Sequence, residues 1–459
     1  MDMTENTKIN PAEASFGEPI FAWATPPGRS GVAVLRLSGP STSMHETLTL
    51  LGVCVNLQPR KAHLVTLKHQ NYGVIDQALA LSFPAPQSFT GEACLEFHTH
   101  GSRAVVRLLT ELLLESGIAR MAEPGEFAKR AFRNGKMDLL QAEGLADLLE
   151  ADTLHQHKQS LALVEGHITT AYEAIRSEII KVRAHVEAYI DFPDEDIPED
   201  TMTNMRAEVS DLISRISTSL DDNGVSEKIR EGIRIAIIGP PNAGKSTLLN
   251  ALARRDVAIT SAEAGTTRDA LEITLDIGGY PVILVDTAGL READSAIEAE
   301  GIKRSRAHAQ ASDLHLGVFD CASYPCIDTE SRNLAQGSGL FIFTKSDLHA
   351  APEIAELDGK KCLSVSLLEA QSVEHITAAL KTLIEEHYPV SESPLVIRAR
   401  HRDALKRCIG HLESFLQSKP NELLAEDLRL ASREIEKITG KIELDAILDV
   451  LFGSFCIGK

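Results

Sequence analysis

Hydrophobic and polar positions change texture twice along the chain. Between residues 21 and 135 short apolar runs alternate with turns. Val32-Ala33-Val34-Leu35-Arg36-Leu37 predicts a strand and Val105 to Leu114 a helix, with turns at Pro26-Pro27-Gly28, Pro84-Ala85-Pro86 and Pro124-Gly125. From Lys136 there is no proline until Pro193, and Ile175, Ile179, Val182, Val186 and Tyr189 form one stripe of a long helix. That helix should stop at the acidic turn Asp191 to Pro198, a solvated loop, and a second should cover roughly 201–220. At Gly232 the pattern becomes strand–loop–helix and stays so to about Pro389. Helical spacing then returns at Leu424, Leu428, Ala431, Ile435 and Ile438.

Each helical block has an apolar face that needs a partner, and two separate small domains would each have a thin core. The predicted fold class is therefore multidomain α/β plus α. An α/β domain (231–388) is inserted into a helical domain discontinuous in sequence (135–230 and 389–459), and an α+β domain (1–134) precedes it.

Composition narrows the classes. With 459 residues, 43% apolar and 24% charged, the chain is too long for one core and too apolar for wholesale disorder. The longest apolar runs, such as Ile235 to Ile238, fall far short of the roughly 18–20 residues a membrane span needs. The polar N-terminus is unlike a signal peptide. Seven scattered cysteines without a CxxC pair suit a reducing compartment. A cytoplasmic protein with no membrane partner is expected. The net charge of −20 disfavours non-specific nucleic-acid binding, so any RNA must be met by a local basic patch or by a second protein.

Ile233 to Ile238 reads as a buried strand, followed at once by Gly239-Pro240-Pro241-Asn242-Ala243-Gly244-Lys245-Ser246 and a helix from Thr247. This is GxxxxGK[ST] in the setting that the motif requires. Backbone N–H groups would cradle phosphates, Lys245 reach the outer ones, and Ser246 ligate Mg²⁺. The other parts of a Ras-like GTP-binding set follow in order. Thr266 and Thr267 offer a switch threonine for Mg²⁺ and the γ-phosphate. Asp286-Thr287-Ala288-Gly289 ends a strand, its aspartate placed to hold Mg²⁺ through water. Thr344-Lys345-Ser346-Asp347 ends another, and Asp347 can accept from the guanine N1 and N2 donors that adenine lacks. Thr344 stands where the usual motif has Asn, which would weaken one base contact. Ser366-Leu367 stands where Ser-Ala is usual. Leu290 follows Gly289 where many GTPases carry the glutamine that orients the attacking water.

Further motifs are specific. Ala24 to Val32 (ATPPGRSGV), Ser88-Phe89-Thr90-Gly91-Glu92, Pro124-Gly125-Glu126-Phe127, Asp191 to Glu195 and the ending Phe455-Cys456-Ile457-Gly458-Lys459 resemble, essentially end to end, the MnmE (TrmE) family of bacterial GTPases that modify the wobble uridine of certain tRNAs. Ser30 departs from the family's glycine. The resemblance implies a homodimer whose N-terminal domain binds 5-formyl-tetrahydrofolate or a related tetrahydrofolate through Arg36, Glu96, Lys136 and Lys459. It implies a modification-linked role for Cys456, a small buried cysteine being the structural alternative. It implies K⁺ at Asn242, Ser261, the Glu263 backbone and Thr266, with Ser261 and Glu263 departing from the family's commoner residues. It gives Glu298 the task of orienting water in place of the missing glutamine. The implied partners are tRNA and the flavoprotein MnmG (GidA). The implied function is GTP-dependent assembly of an aminomethyl or carboxymethylaminomethyl group at C5 of the wobble uridine. A ribosome-assembly GTPase and a pure regulatory switch remain the alternatives. The first is disfavoured by the −20 charge and the lack of a basic C-terminal module, the second by the folate-side motifs.

Overall fold

A computed structural model describes residues 17–191, 200–222, 224–254, 272–286, 307–390, 394–417, 420–442, 448, 451–453, 455 and 458. The chain forms two compact units, residues 1–146 with 439–459, and residues 147–438.

In the first unit the elements are β1 (Ile20–Trp23), β2 (Ser30–Gly39), α1 (Ser41–Leu50), β3 (His63–His69), β4 (Gly73–Phe83), β5 (Ala93–Gly101), α2 (Arg103–Ser116), β6 (Arg120–Met121), α3 (Glu126–Arg133) and α4 (Leu139–Glu150), the last running on into the second unit. The sheet order is β3-β4-β5-β2-β1-β6, antiparallel except for the β1–β6 pair. The run at Val32 to Leu37 is not uniformly buried. Ala33, Leu35 and Leu37 enter the core while Val32 is 52% exposed, the alternation of a sheet covered mainly on one face. Leu35 and Leu37 pack with Leu109, Leu112 and Leu113 of α2, whose start is capped by the Ser102 hydroxyl accepting from the Val105 N–H.

The C-terminal residues also belong here. Leu448, Leu451, Phe452 and Phe455 pack on Ala128, Leu139 and Ala142. Gly125 has φ of 65°, and a Cβ there would lie 2.3 Å from the Phe452 carbonyl oxygen, so glycine is required both by conformation and by close approach.

In the second unit come α5 (Leu154–Val164), α6 (His167–Asp191), α7 (Asp200–Leu220), α8 (Val225–Glu231), β7 (Ile233–Ile238), α9 (Lys245–Ala253), β8 (Glu272–Ile277), β9 (Tyr280–Asp286), β10 (Leu314–Asp320), α10 (Thr329–Leu334), β11 (Gly339–Thr344), β12 (Glu356–Leu357), β13 (Lys360–Ser364), α11 (Ala370–His387), α12 (Ala399–Leu416) and α13 (Asn421–Thr439). The sheet order is β12-β13-β11-β10-β7-β9-β8, parallel from β13 through β9 with antiparallel edges. Its central strands are buried along nearly their whole length, as parallel strands covered on both faces must be. One face packs on Leu248, Leu252, Ile376 and Leu380, the other carries Phe319, Phe341 and Phe343.

The split helical block is confirmed. On α6 the stripe buries Ile175, Ile179, Val182 and Val186, with Tyr189 partly exposed, and all five stripe residues of α13 are buried. Helices from before and after the α/β segment are tied directly. The Tyr172 hydroxyl donates to the Leu395 carbonyl at 2.5 Å, and Arg176 Nε to Glu436 Oε1 at 2.8 Å.

Candidate functional site

The parallel strands β7, β9, β11 and β13 all end on the same side of the sheet, the usual ligand-binding side of such sheets. After β7, Asn242 and Gly244 both take positive φ, 62° and 96°. Gly244 sits at the head of α9 and has no side chain to cap it, which leaves the first helical amides to an anion. Ala243 is buried, Lys245 is only 6% exposed, and its Nζ donates to the Gly239 and Pro240 carbonyls, both at 2.7 Å. Thr247 lies in the first turn of α9.

Asp286 closes β9 and is 1% exposed. Ser246 Oγ lies 3.5 Å from its Oδ2. A hydroxyl and a buried carboxylate meeting at a phosphate-loop helix are the hard oxygen donors that Mg²⁺ takes, so the donor set fits that ion.

The end of β11 meets the phosphate loop through one residue. Thr344 is the last residue of β11. It is 1% exposed, and its Oγ1 donates to the Ala243 carbonyl at 2.6 Å, with the Phe319 carbonyl at 3.2 Å. The hydroxyl therefore ties the end of β11 to the phosphate loop, a link that the motif alone did not disclose. Lys345, at φ of 62°, donates through Nζ to Asp320 Oδ2 at 2.6 Å. Burial works to raise the Asp320 carboxyl, but Lys345, the Ala322 N–H and His349 together hold it below the usual carboxylate range. Asp320 is a site residue that sequence reasoning missed; its position at the end of β10 was the available signal. Asp347 is exposed, and Ser366 is 3% exposed beside this loop, the Ser346 N–H donating to the Val365 carbonyl at 3.3 Å.

In the first unit, Arg36 and Glu96 are directly opposite on β2 and β5. Arg36 Nε donates to Glu96 Oε1 at 2.8 Å, and its guanidinium lies 5.7 Å from the Phe89 ring centroid and 5.9 Å from that of Phe127. The Gly458 carbonyl is 3.5 Å from Arg36. Glu96 Oε2 is engaged by His98 Nε2 at 3.2 Å, so both oxygens of this carboxylate have partners, a point that the sequence did not disclose. Lys136 is exposed, and its stem lies against Gly91. The same unit holds a network that runs from a buried to an exposed end: Ser38 donates to Glu92 at 2.7 Å, Glu92 takes Arg130 at 2.9 Å, and Glu126 takes both Arg120 and Arg130 at 2.8 Å. Burial works to raise the Glu126 carboxyl, but Arg120, the Glu123 N–H and Arg130 overcome it and hold it at about 2.

Ser261, Glu263, Thr266, Thr267, Thr287, Ala288, Gly289, Glu298, Cys456 and Lys459 lie outside the described residues.

Comparison with known proteins covers nearly all of the chain. The family described as GTP-binding protein TrmE N-terminus matches residues 19–136, and the MnmE helical domain matches residues 139–456. The tRNA modification GTPase MnmE of Paramagnetospirillum magneticum is 43% identical over 444 residues, covering 97% of this chain and 100% of that protein. Its counterpart in Parvibaculum lavamentivorans is 44% identical over 447 residues, covering 96% and 100%. That in Caulobacter vibrioides is 43% identical over 451 residues, again covering 96% and 100%.

Proposed function

The chain belongs to the MnmE (TrmE) family of tRNA modification GTPases, and from that premise we propose a K⁺-activated GTP hydrolase that works with a flavoprotein partner. Together they add an aminomethyl or carboxymethylaminomethyl group at C5 of the wobble uridine. GTPase activity in tRNA modification follows from the family. The nucleotide-binding part of the reading is supported by one observation, the convergence of Lys245, Ser246, Asp286 and Thr344 around a single phosphate loop.

Ser246 and Thr267 would hold Mg²⁺, which neutralises charge on the outer phosphates. Asn242, Ser261, the Glu263 backbone and Thr266 would hold K⁺ where an arginine finger serves in other GTPases. Leu290 cannot orient water, so Glu298 is assigned that task through a bridging water. Thr287, Ala288 and Gly289 would track the γ-phosphate, Asp347 would select guanine, and Ser366 would border the base.

A tetrahydrofolate such as 5-formyl-tetrahydrofolate would supply the one-carbon unit, held by Arg36, Glu96, Lys136 and Lys459. The Arg36–Glu96 pair between two aromatic rings supports a site for a flat, charged ligand. Cys456 is assigned to the modification chemistry. The proposed division is 1–134 for folate binding and homodimer formation, 231–388 for GTP, and 135–230 with 389–459 as the helical frame, whose end segments 135–146 and 439–459 group with the first compact unit. The partners are MnmG (GidA) and tRNA. The −20 charge fits an arrangement in which MnmG makes most of the tRNA contacts.

Nucleoside analysis of tRNA from a strain lacking this chain tests the proposal. Loss of the C5-modified wobble uridine is expected. Intact modified tRNA together with a ribosomal-subunit defect would overturn it.

A further inference from the structure

One carboxylate holds both places where the chain passes between the helical frame and the inserted α/β segment. Asp147 lies in α4, and its side chain is 8% exposed. Its Oδ1 accepts from Arg230 Nε at 3.0 Å and from Arg398 Nη2 at 2.7 Å. Arg230 belongs to α8, just before β7; Arg398 is the N-cap of α12, the first helix after the α/β segment.

The same corner touches the strand that leads to the nucleotide. Gln156 Nε2 donates to the Arg230 carbonyl at 3.1 Å, which fastens α5 to α8. The His155 N–H donates to the Gly279 carbonyl at 3.2 Å, and the His155 ring lies 4.5 Å from that of Tyr280. Tyr280 begins β9, and Asp286 ends it. A strand of this length spans about 20 Å and is stiff within a sheet. The Mg²⁺-side carboxylate and the α5 contact are therefore opposite ends of one rigid piece.

Asp147 Oδ2 is buried and has no hydrogen-bond partner among the described residues. A buried acceptor without a donor is costly, and such costs gather at elements with a second arrangement. A cavity of about 360 Å³ borders it, lined in part by Gln156, Ser160, Arg230, Thr274 and Ile283. The cavity gives a guanidinium room to reach Oδ2 as well as Oδ1.

We propose that Asp147 is a positioning residue for the GTPase cycle. It clamps both crossings to α4, so that a displacement of β9 set by the nucleotide is passed into the helical frame. The proposal requires only a GTPase inserted in a helical frame; it does not depend on K⁺ or on folate.

Asp147→Asn keeps the volume and removes the charge. The full-length protein is compared by hydrogen exchange in GDP and in a non-hydrolysable GTP analogue. In the wild type, amides of residues 147–164 should differ between the two nucleotides by about tenfold, and in Asp147→Asn the difference should shrink to within about twofold. GTP turnover should stay within about twofold while wobble modification in cells falls about tenfold or more. A merely structural role predicts lower thermal stability in both nucleotides with the nucleotide-dependent difference retained. That result, or a wild type without any difference, overturns the proposal. Should Asp147→Asn fail to fold, Arg398→Lys gives the decision, because it keeps the charge but loses the planar fork. It should lose at least half of the nucleotide-dependent difference; a wild-type response would refute the clamp.

Discussion

Thr344→Val removes one hydroxyl and keeps the side chain's shape. The structure gives that hydroxyl one short bond, 2.6 Å to the Ala243 carbonyl, and a longer contact to the Phe319 carbonyl at 3.2 Å. Ala243 is 2% exposed, so water cannot replace the lost donor. Stripping a partner from a buried acceptor costs about 1–3 kcal/mol. Expressed wholly in nucleotide binding, that is about 5- to 150-fold in Kd. The phosphate loop serves GDP and GTP alike, so both affinities should fall by the same factor. Guanine preference should not change, because Asp347 is untouched.

The assay is stopped-flow binding of fluorescent GDP and GTP, with inosine and xanthosine analogues as competitors. Thr344→Ser keeps the hydroxyl and should stay within about threefold of wild type, since it gives up only a methyl group. A Val variant with wild-type affinity for both nucleotides would refute the bond to the loop as an energetic link. A Val variant with normal affinity but relaxed base selectivity would put Thr344 on the base side.

Asp347→Asn should lose GTP preference, with xanthosine triphosphate partly restoring hydrolysis; unchanged GTP kinetics would remove Asp347 from base reading. Hydrolysis should be faster in K⁺ than in Na⁺ at matched ionic strength, and equal rates would dismiss the cation site at Asn242. Glu298→Ala should leave GTP binding nearly intact and cut turnover by roughly 10²-fold or more, while Glu300→Ala is mild; the reverse ranking would show the wrong acid was chosen. The Glu126 carboxyl is held at about 2, below its ordinary 4.5, so its contribution is full above pH 4.5 and disappears as pH falls towards 2. Glu126→Gln should therefore destabilise the first unit by up to about 3 kcal/mol at pH 7 and by progressively less below pH 4.5. Urea unfolding followed by the fluorescence of Trp23, the chain's single tryptophan, reads this out, and a pH-independent difference would exclude the mechanism.

What the sequence disclosed was local. The stripes on α6 and α13 were legible because each residue's burial is set by its position on its own helix. The phosphate loop was legible because its strand, turn and helix are contiguous. What it withheld depends on pairing across distance. Thr344 meets Ala243 from 101 residues away, and Asp147 meets Arg398 from 251. Nothing in a run of residues says which acid meets which arginine among 66 acidic and 46 basic side chains. The apolar residues Leu448, Phe452 and Phe455 announce burial but not the partner, and they settle on α3 and α4 of the first unit.

That division bears on how the protein works. The contiguous motifs carry the chemistry of a phosphate site, which many chains share. The distant pairings decide what a change at that site can move. Thr344 joins the phosphate loop to β11, β9 joins Asp286 to α5, and Asp147 joins α8 and α12 to α4. Each is a contact between elements that lie far apart in sequence. A substitution in a motif should therefore lower binding or turnover directly. A substitution of Asp147, which is remote from the phosphate loop, should leave turnover standing and break its link to the modification reaction, which is why the two must be measured separately in every variant.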